Sequence, residues 1–179
     1  KVRIWLSLAL DWWVERGDGR INVARSIDPK RAFGSRMVEH HAALTLAEVP
    51  AMMQRLDLEA GLQSALALKL LALTWTRTGE LRAMRWDEIE RDAAGVPVLW
   101  RLARARMKMR REHLVPLSRQ AVQLLDVLQR RAGVSPFVFP NDRRPEDRPM
   151  SENSMLYLLG RMGYGGRMTG HGWRTLAST

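Results

Sequence analysis

Residues 96–118 read VPVLWRLARARMKMRREHLVPLS, and three kinds of chemistry succeed one another within them. Val96 to Leu102 is β-branched and aromatic enough for a strand. Residues 103–111 are densely basic. His113 to Leu117 returns as a second short strand. This order predicts a hairpin whose connection carries Arg104, Arg106, Lys108, Arg110 and Arg111. Ser118 is placed to cap a helix running to about Arg131, with Ala121, Leu124, Leu125 and Leu128 as its apolar face. A third short strand is expected at Phe137-Val138-Phe139, ahead of Pro140. The other periodic segments are helical. The fold class is therefore mainly α with a small three-stranded antiparallel β-sheet, its strands near 97–102, 113–117 and 137–139.

Working outward, residues 2–16 have helical spacing in Val2, Leu6, Ala9, Leu10 and Trp13, with Trp5 and Trp12 widening the stripe. Gly17-Asp18-Gly19 stops that helix. Residues 17–44 lack a clear period and read as a turn and linker. Thr45-Leu46-Ala47-Glu48 has the pattern of a capping box. A helix follows to about Leu58, and Pro50 suggests a bend in it. Gly61 precedes a helix over roughly 62–75 with Leu66, Leu70 and Leu73 buried, and Thr78-Gly79 is read as its break. A short helix then carries Leu81 and Met84. Ser151 is expected to start a helix bearing Met155, Leu158, Leu159 and Met162. His171 opens a last one.

Composition narrows the function. Lys+Arg is 29 against Asp+Glu 19, a formal charge of +10. Such an excess in a folded domain points to a polyanion, most often nucleic acid. The chain has no cysteine, which excludes disulfides, thiolate metal sites and cysteine nucleophiles. No apolar run approaches the ~20 residues that span a bilayer. Lys1, Lys30, Lys69 and Lys108 are the only lysines among the 29 basic residues, so arginine fills the rest. A lysine inside the arginine cluster is thus unexpected. Lysine can give up its proton, whereas arginine effectively cannot, and neighbouring cations favour that loss.

Two further islands complete the set. In Thr76-Arg77-Thr78-Gly79-Glu80-Leu81-Arg82, an arginine at a break before a helix can turn its fork toward an anion. Taken alone it reads as readily as a helix-end arginine paired with Glu80. In His171-Gly172-Trp173-Arg174, the histidine and arginine are three residues apart and share a helix face. The glycine-rich approach to them, Gly163 to Gly170, would let a backbone come close to a ligand.

In order, these islands resemble the tyrosine recombinases, and the bacterial phage and prophage integrases in particular. Arg77 with Glu80-Leu81 and Trp86-Asp87-Glu88-Ile89 is similar to that family's first arginine motif. Lys108 lies where the family places its hairpin lysine, and Val115-Pro116-Leu117-Ser118 looks like the exit from that hairpin. Phe137-Val138-Phe139-Pro140 and Thr169-Gly170-His171-Gly172-Trp173-Arg174 resemble the later motifs. The resemblance covers residues 45–179 and implies a catalytic domain there. Residues 17–44 would be a linker, and residues 1–16 the last helix of a preceding core-binding domain.

The resemblance implies Arg77, Lys108, His171 and Arg174 as catalytic residues, Glu80 as their support, and Arg104, Arg106, Arg110 and Arg111 as DNA contacts. It implies no cofactor and no metal. The implied partner is a double-stranded DNA attachment site, bound by a tetramer of the full-length protein in a bacterial cytoplasm, with no membrane. One departure stands out. The family's nucleophilic tyrosine follows the second arginine motif, whereas Tyr157 and Tyr164, the two tyrosines here, precede it. The expectation is a catalytic domain incomplete at its C-terminus and unable to cleave DNA by itself. The competing readings are a DNA-binding module without catalysis, a degenerate integrase remnant, a type IB topoisomerase-like enzyme and an RNA-binding domain. The last is disfavoured because the aromatic residues mostly fall on apolar stripes.

Overall fold

The computed structural model describes residues 2–34, 42–103, 111–131 and 133–178. They form two units, Lys1–His40 and His41–Thr179. In the first, α1 (Val2–Glu15) ends at Gly17, whose φ of 79° suits a residue without a Cβ. The Trp13 ring lies against Gly19, where a Cβ would stand 2.2 Å from it. Two short helices, α2 (Val23–Ser26) and α3 (Pro29–Phe33), occupy part of the stretch expected as linker. Asn22 joins this unit together. Its Oδ1 accepts from the Ala24 amide at 3.0 Å, and its Nδ2 donates to the Ser7 carbonyl at 2.8 Å and to Asp11 at 2.7 Å. The bonds from Asn22 and Arg25 hold the Asp11 carboxyl below the usual carboxylate range. No described residue of α1 is buried, and Val2, Trp5, Leu6, Trp12 and Trp13 of its expected stripe are exposed.

The second unit begins at the capping box. The Glu48 carboxylate accepts the Thr45 amide at 2.9 Å and the Thr45 hydroxyl at 2.8 Å. A 3-10 turn over Leu46–Glu48 leads into α4 (Val49–Leu58). Helix α4 starts late enough that Pro50 lies in its first turn, where a missing N–H costs nothing, so the expected bend is not required.

Helix α5 (Gln63–Thr74) is the centre of the unit. Ala65, Leu66, Ala67, Leu68, Leu70 and Leu71 are all buried, so this helix is apolar nearly all round and packs on several sides. Its neighbours include α4, α7 (Arg119–Arg131) and α8 (Ser154–Arg161). Each leucine buried there contributes about 1.5–3 kcal/mol. Lys69, which interrupts the apolar run, emerges at the edge and pairs with Asp57 of α4. The facing helices contribute the stripes expected of them: Ala121, Leu125 and Leu128 from α7, and Met155, Leu158 and Leu159 from α8.

The sheet has three antiparallel strands in chain order, β1 (Ile89–Arg91), β2 (Pro97–Leu102) and β3 (His113–Pro116). Trp100 stands opposite both Ile89 and Val115, and Leu102 opposite His113. The hairpin expected around the basic stretch is therefore present. The expected third strand is not at 137–139. That segment forms a single bridge, Phe137 with Arg85, while Pro140 bridges Pro149. Val138 and Phe139 are both buried, which is burial without strand alternation. Strand β1 takes the place instead. With Ile89 its only apolar residue, it has little signal of its own. It is held by pairing and by a tight turn in which Asp92 Oδ1 accepts from Ala94 and Val96, each at 2.9 Å. Among the described residues no helix is long and apolar enough to cross a membrane.

Candidate active site

The first arginine sits at the N-cap of α6 (Thr78–Arg82). Glu80, one turn on, binds it twice. One oxygen accepts the Arg77 amide at 3.0 Å, and the other accepts Nη1 at 2.5 Å. The Glu80 side chain is 10% exposed and that of Arg77 43%. The carboxylate is thus tucked in and the guanidinium reaches outward. A guanidinium has five N–H donors in a fixed fork, so one spent on Glu80 orients the rest. The ion pair foreseen as the plain reading is present, and it also fixes the direction of an exposed cation.

Helix α5 ends where the helix over roughly 62–75 is expected to end, and the break before α6 falls there. It lies at Trp75, with φ 55° and ψ 22°, and not at Thr78-Gly79; Gly79 is inside α6. Among the described residues Trp75 is the only non-glycine with positive φ. The left-handed conformation costs an L-residue roughly 1–2 kcal/mol. The Trp75 amide still bonds back to the Leu71 carbonyl at 2.9 Å, so the helix is complete up to that residue. Its carbonyl then leaves the helix and accepts Nη1 of Arg174 at 2.8 Å. The two arginines, 97 positions apart in the chain (174 − 77), are thereby joined through one backbone carbonyl two residues from Arg77.

Arg174 and His171 lie on α9 (Gly172–Ala177), His171 as its N-cap. His171 is exposed and borders a hollow of about 240 Å³ with Thr78, Met155, Leu156 and Thr169. Two of the surrounding glycines, Gly170 and Gly172, lie tight against the protein's own chain. A Cβ at Gly170 would stand 2.1 Å from Thr78 Cγ2, and one at Gly172 would stand 2.6 Å from the Ala42 carbonyl oxygen. The Thr169 amide bonds that same carbonyl at 3.1 Å. Close approach at these two positions sets α9 against both the start of α6 and residues 42–43. Arg167, just upstream, pairs with Glu48. The Thr45 bonds, then Arg167, keep the Glu48 carboxyl below its ordinary value.

Gly172→Ala is accordingly expected to destabilise the chain by about 1–2 kcal/mol. Alanine in place of glycine in a helix gains up to about 1 kcal/mol. Overlap with fixed backbone costs typically 1–3 kcal/mol and prevails. Urea unfolding of the two proteins measures this, and a stabilised variant would contradict the packing.

The sheet residues on either side of 104–110 are tied by ion pairs. Arg101 on β2 bonds Glu112 at 2.8 Å and also Glu90 of β1. These two carboxylates, Glu90 foremost, raise its pKa further above the usual guanidinium value. The Trp100 indole donates to Glu88 at 3.1 Å, fixing the same edge. Arg111 is exposed just before β3. Lys108, Arg104, Arg106 and Arg110 lie outside the described residues. Of the two tyrosines, Tyr164 is buried beneath Arg167, whose guanidinium stands 5.8 Å from the ring centre, and Tyr157 is 74% exposed on α8.

Trp75 was not foreseen. The available signal was a helix ending without glycine or asparagine, where a left-handed residue is commonly required.

Comparisons with known proteins bear on the family and the fold. Residues 42–179 match the model of the phage integrase family. The chain is 43% identical over 152 residues to prophage integrase IntZ of Escherichia coli strain K12, covering 85% of this chain and 36% of that protein. It is 36% identical over 165 residues to the integrase of Enterobacteria phage P4, covering 84% of this chain and 36% of that protein. The chain thus spans just over a third of the length of these curated relatives. Among solved structures, a lambda integrase tetramer bound to a Holliday junction superposes with a TM-score of 0.69 at 19% identity, over 99% of this chain and 52% of that one. The Tn1549 transposon integrase in complex with transposon right end DNA gives 0.70 at 15%, over 97% and 62%. At such identities the two structures speak for the fold.

Proposed function

The chain belongs to the phage integrase family, and from that premise we propose that it is the phosphate-activating part of a site-specific DNA recombinase. Strands are cut and rejoined through a 3′-phosphotyrosyl link. The observation that carries this reading is the bond from Arg174 to the Trp75 carbonyl, which brings the second arginine motif to the first.

The chemistry suits the residue types. When an oxygen attacks a phosphodiester, negative charge grows on the non-bridging oxygens of five-coordinate phosphorus. Two guanidinium forks, Arg77 and Arg174, answer that charge with paired N–H donors. Glu80 holds the first fork, and the Trp75 carbonyl the second. His171, exposed at the α9 N-cap, hydrogen-bonds the phosphate and assists proton transfer. Lys108 gives a proton to the departing 5′-oxygen, which otherwise leaves as a poor alkoxide. The attacking tyrosine becomes bonded to the 3′-phosphate and the 5′-hydroxyl is freed. A second strand's 5′-hydroxyl then reverses the step, so no external energy source is consumed. Arg104, Arg106, Arg110 and Arg111 neutralise neighbouring phosphates. The proposed partner is duplex DNA at an attachment site, bound by a tetramer of the full-length protein in the bacterial cytoplasm. Since the proposed nucleophile follows the second arginine motif, this chain alone binds DNA without cutting it.

Lys108→Arg in the full-length gene product separates catalysis from mere binding. Phosphate affinity needs charge, whereas leaving-group protonation needs a transferable proton. Duplex affinity is expected to change less than twofold, and cleavage to fall about 10²–10⁴-fold. Cleavage at the wild-type rate would favour a simple binding module. Binding by the chain itself should weaken with salt, with a log–log slope of about −0.9 per phosphate neutralised. No binding at low salt would contradict a nucleic-acid role.

A further inference from the structure

We propose that Trp75 is the positioning residue of the arginine pair, its left-handed backbone aiming the carbonyl that holds Arg174. The inference rests on reading Arg77 and Arg174 as phosphate ligands, and it adds a residue to that site.

Three observations converge on it. First, Trp75 adopts a conformation that favours glycine, yet it carries the largest side chain and leaves it 42% exposed. Strained backbone of this kind persists only where its surroundings over-determine it, and it gathers at functional sites. Second, those surroundings are visible. Thr74 and Thr76 flank it and are both buried, and their hydroxyl oxygens lie 3.2 Å apart. Thr74 Oγ1 also donates to the Leu70 carbonyl at 2.8 Å. With both neighbours turned inward, the residue between them is held in the reversing conformation. Third, the carbonyl so released from the helix accepts Arg174 Nη1 at 2.8 Å. Two virtual bonds of about 3.8 Å each separate the Trp75 and Arg77 Cα atoms. A shift of this carbonyl therefore moves Arg174 relative to Arg77.

The claim concerns backbone conformation, so it predicts an order of tolerance unrelated to side-chain size. Glycine adopts positive φ without strain, whereas valine strongly resists it. In single-turnover cleavage of a nicked attachment-site duplex by the full-length gene product, Trp75→Gly should stay within about threefold of wild type. Trp75→Val should fall at least tenfold at unchanged DNA affinity. A second readout uses this chain and needs no cleavage. Arg174→Ala should lower the melting temperature equally in the wild-type and Trp75→Gly backgrounds, and have little effect in the Trp75→Val background.

Equal behaviour of Trp75→Val and wild type in both readouts would overturn the proposal. So would losses as large for Trp75→Gly as for Trp75→Val, which would assign the effect to the indole. If no protein cleaves but the melting pattern holds, the positioning geometry stands and the catalytic reading fails.

Discussion

Arg77→Lys and Arg174→Lys in the full-length gene product are each expected to slow attachment-site cleavage about 10²–10³-fold, the usual cost of removing one preorganised donor to a developing anion. The substitutions keep the charge and remove the fork. An ammonium is a compact point charge that cannot present two parallel N–H groups to two phosphate oxygens. Each fork also spends a donor on its own support, Arg77 on Glu80 at 2.5 Å and Arg174 on the Trp75 carbonyl at 2.8 Å. A lysine reaching for the phosphate would have to abandon that support or share its single nitrogen. The double variant should lose less than the product of the single losses, because two donors to one phosphate act as a unit. Affinity for the duplex should fall by a much smaller factor, since many other cations contribute to it. Cleavage by either lysine variant at the wild-type rate, measured in single turnover, would remove the arginines from the chemistry.

The elements that carry these residues were legible to different degrees. Helix α7 and the β2–β3 pair were readable because each has an unbroken period and a boundary residue. Ser118 Oγ accepts from Ala121 at 3.2 Å, as a cap should. Strand β1 was not readable, because Ile89-Glu90-Arg91 has one apolar residue and owes its state to its partner. The run 137–139 misled for the opposite reason. Its residues are strand-like in type, yet Val138 and Phe139 are buried side by side and the segment makes one bridge only, with Met150 donating to the Phe139 carbonyl at 2.7 Å. Pro50 misled by one turn, since the helix starts where the 3-10 segment ends and not at the capping box.

The site divides similarly. Arg77 with Glu80, and His171 with Arg174, are local spacings, and local spacing survives folding. What the chain order alone does not carry is the bond from Arg174 to the Trp75 carbonyl, or the Gly170 and Gly172 contacts with Thr78 and Ala42. These join distant segments through backbone atoms, which every residue possesses and which no residue type marks.

We propose that this chain holds the charges and proton donor of a DNA-cleaving site whose attacking group is a tyrosine following Arg174. Charge stabilisation lowers a barrier only when a nucleophile is in line, so arginines and lysine without that tyrosine give binding and no covalent step. Of the tyrosines in the chain, Tyr164 is buried and Tyr157 stands exposed on α8. Neither follows the second arginine motif. The measurement is covalent capture: an attachment-site duplex nicked beside the scissile phosphate, incubated with protein and run on a denaturing gel. The full-length gene product should leave a protein–DNA band that Arg77→Lys nearly abolishes. The chain of 179 residues should leave none, while retaining salt-dependent binding to the same duplex. A covalent band from this chain that disappears with Tyr157→Phe, or the absence of any band from the full-length protein on its own site, would contradict the account.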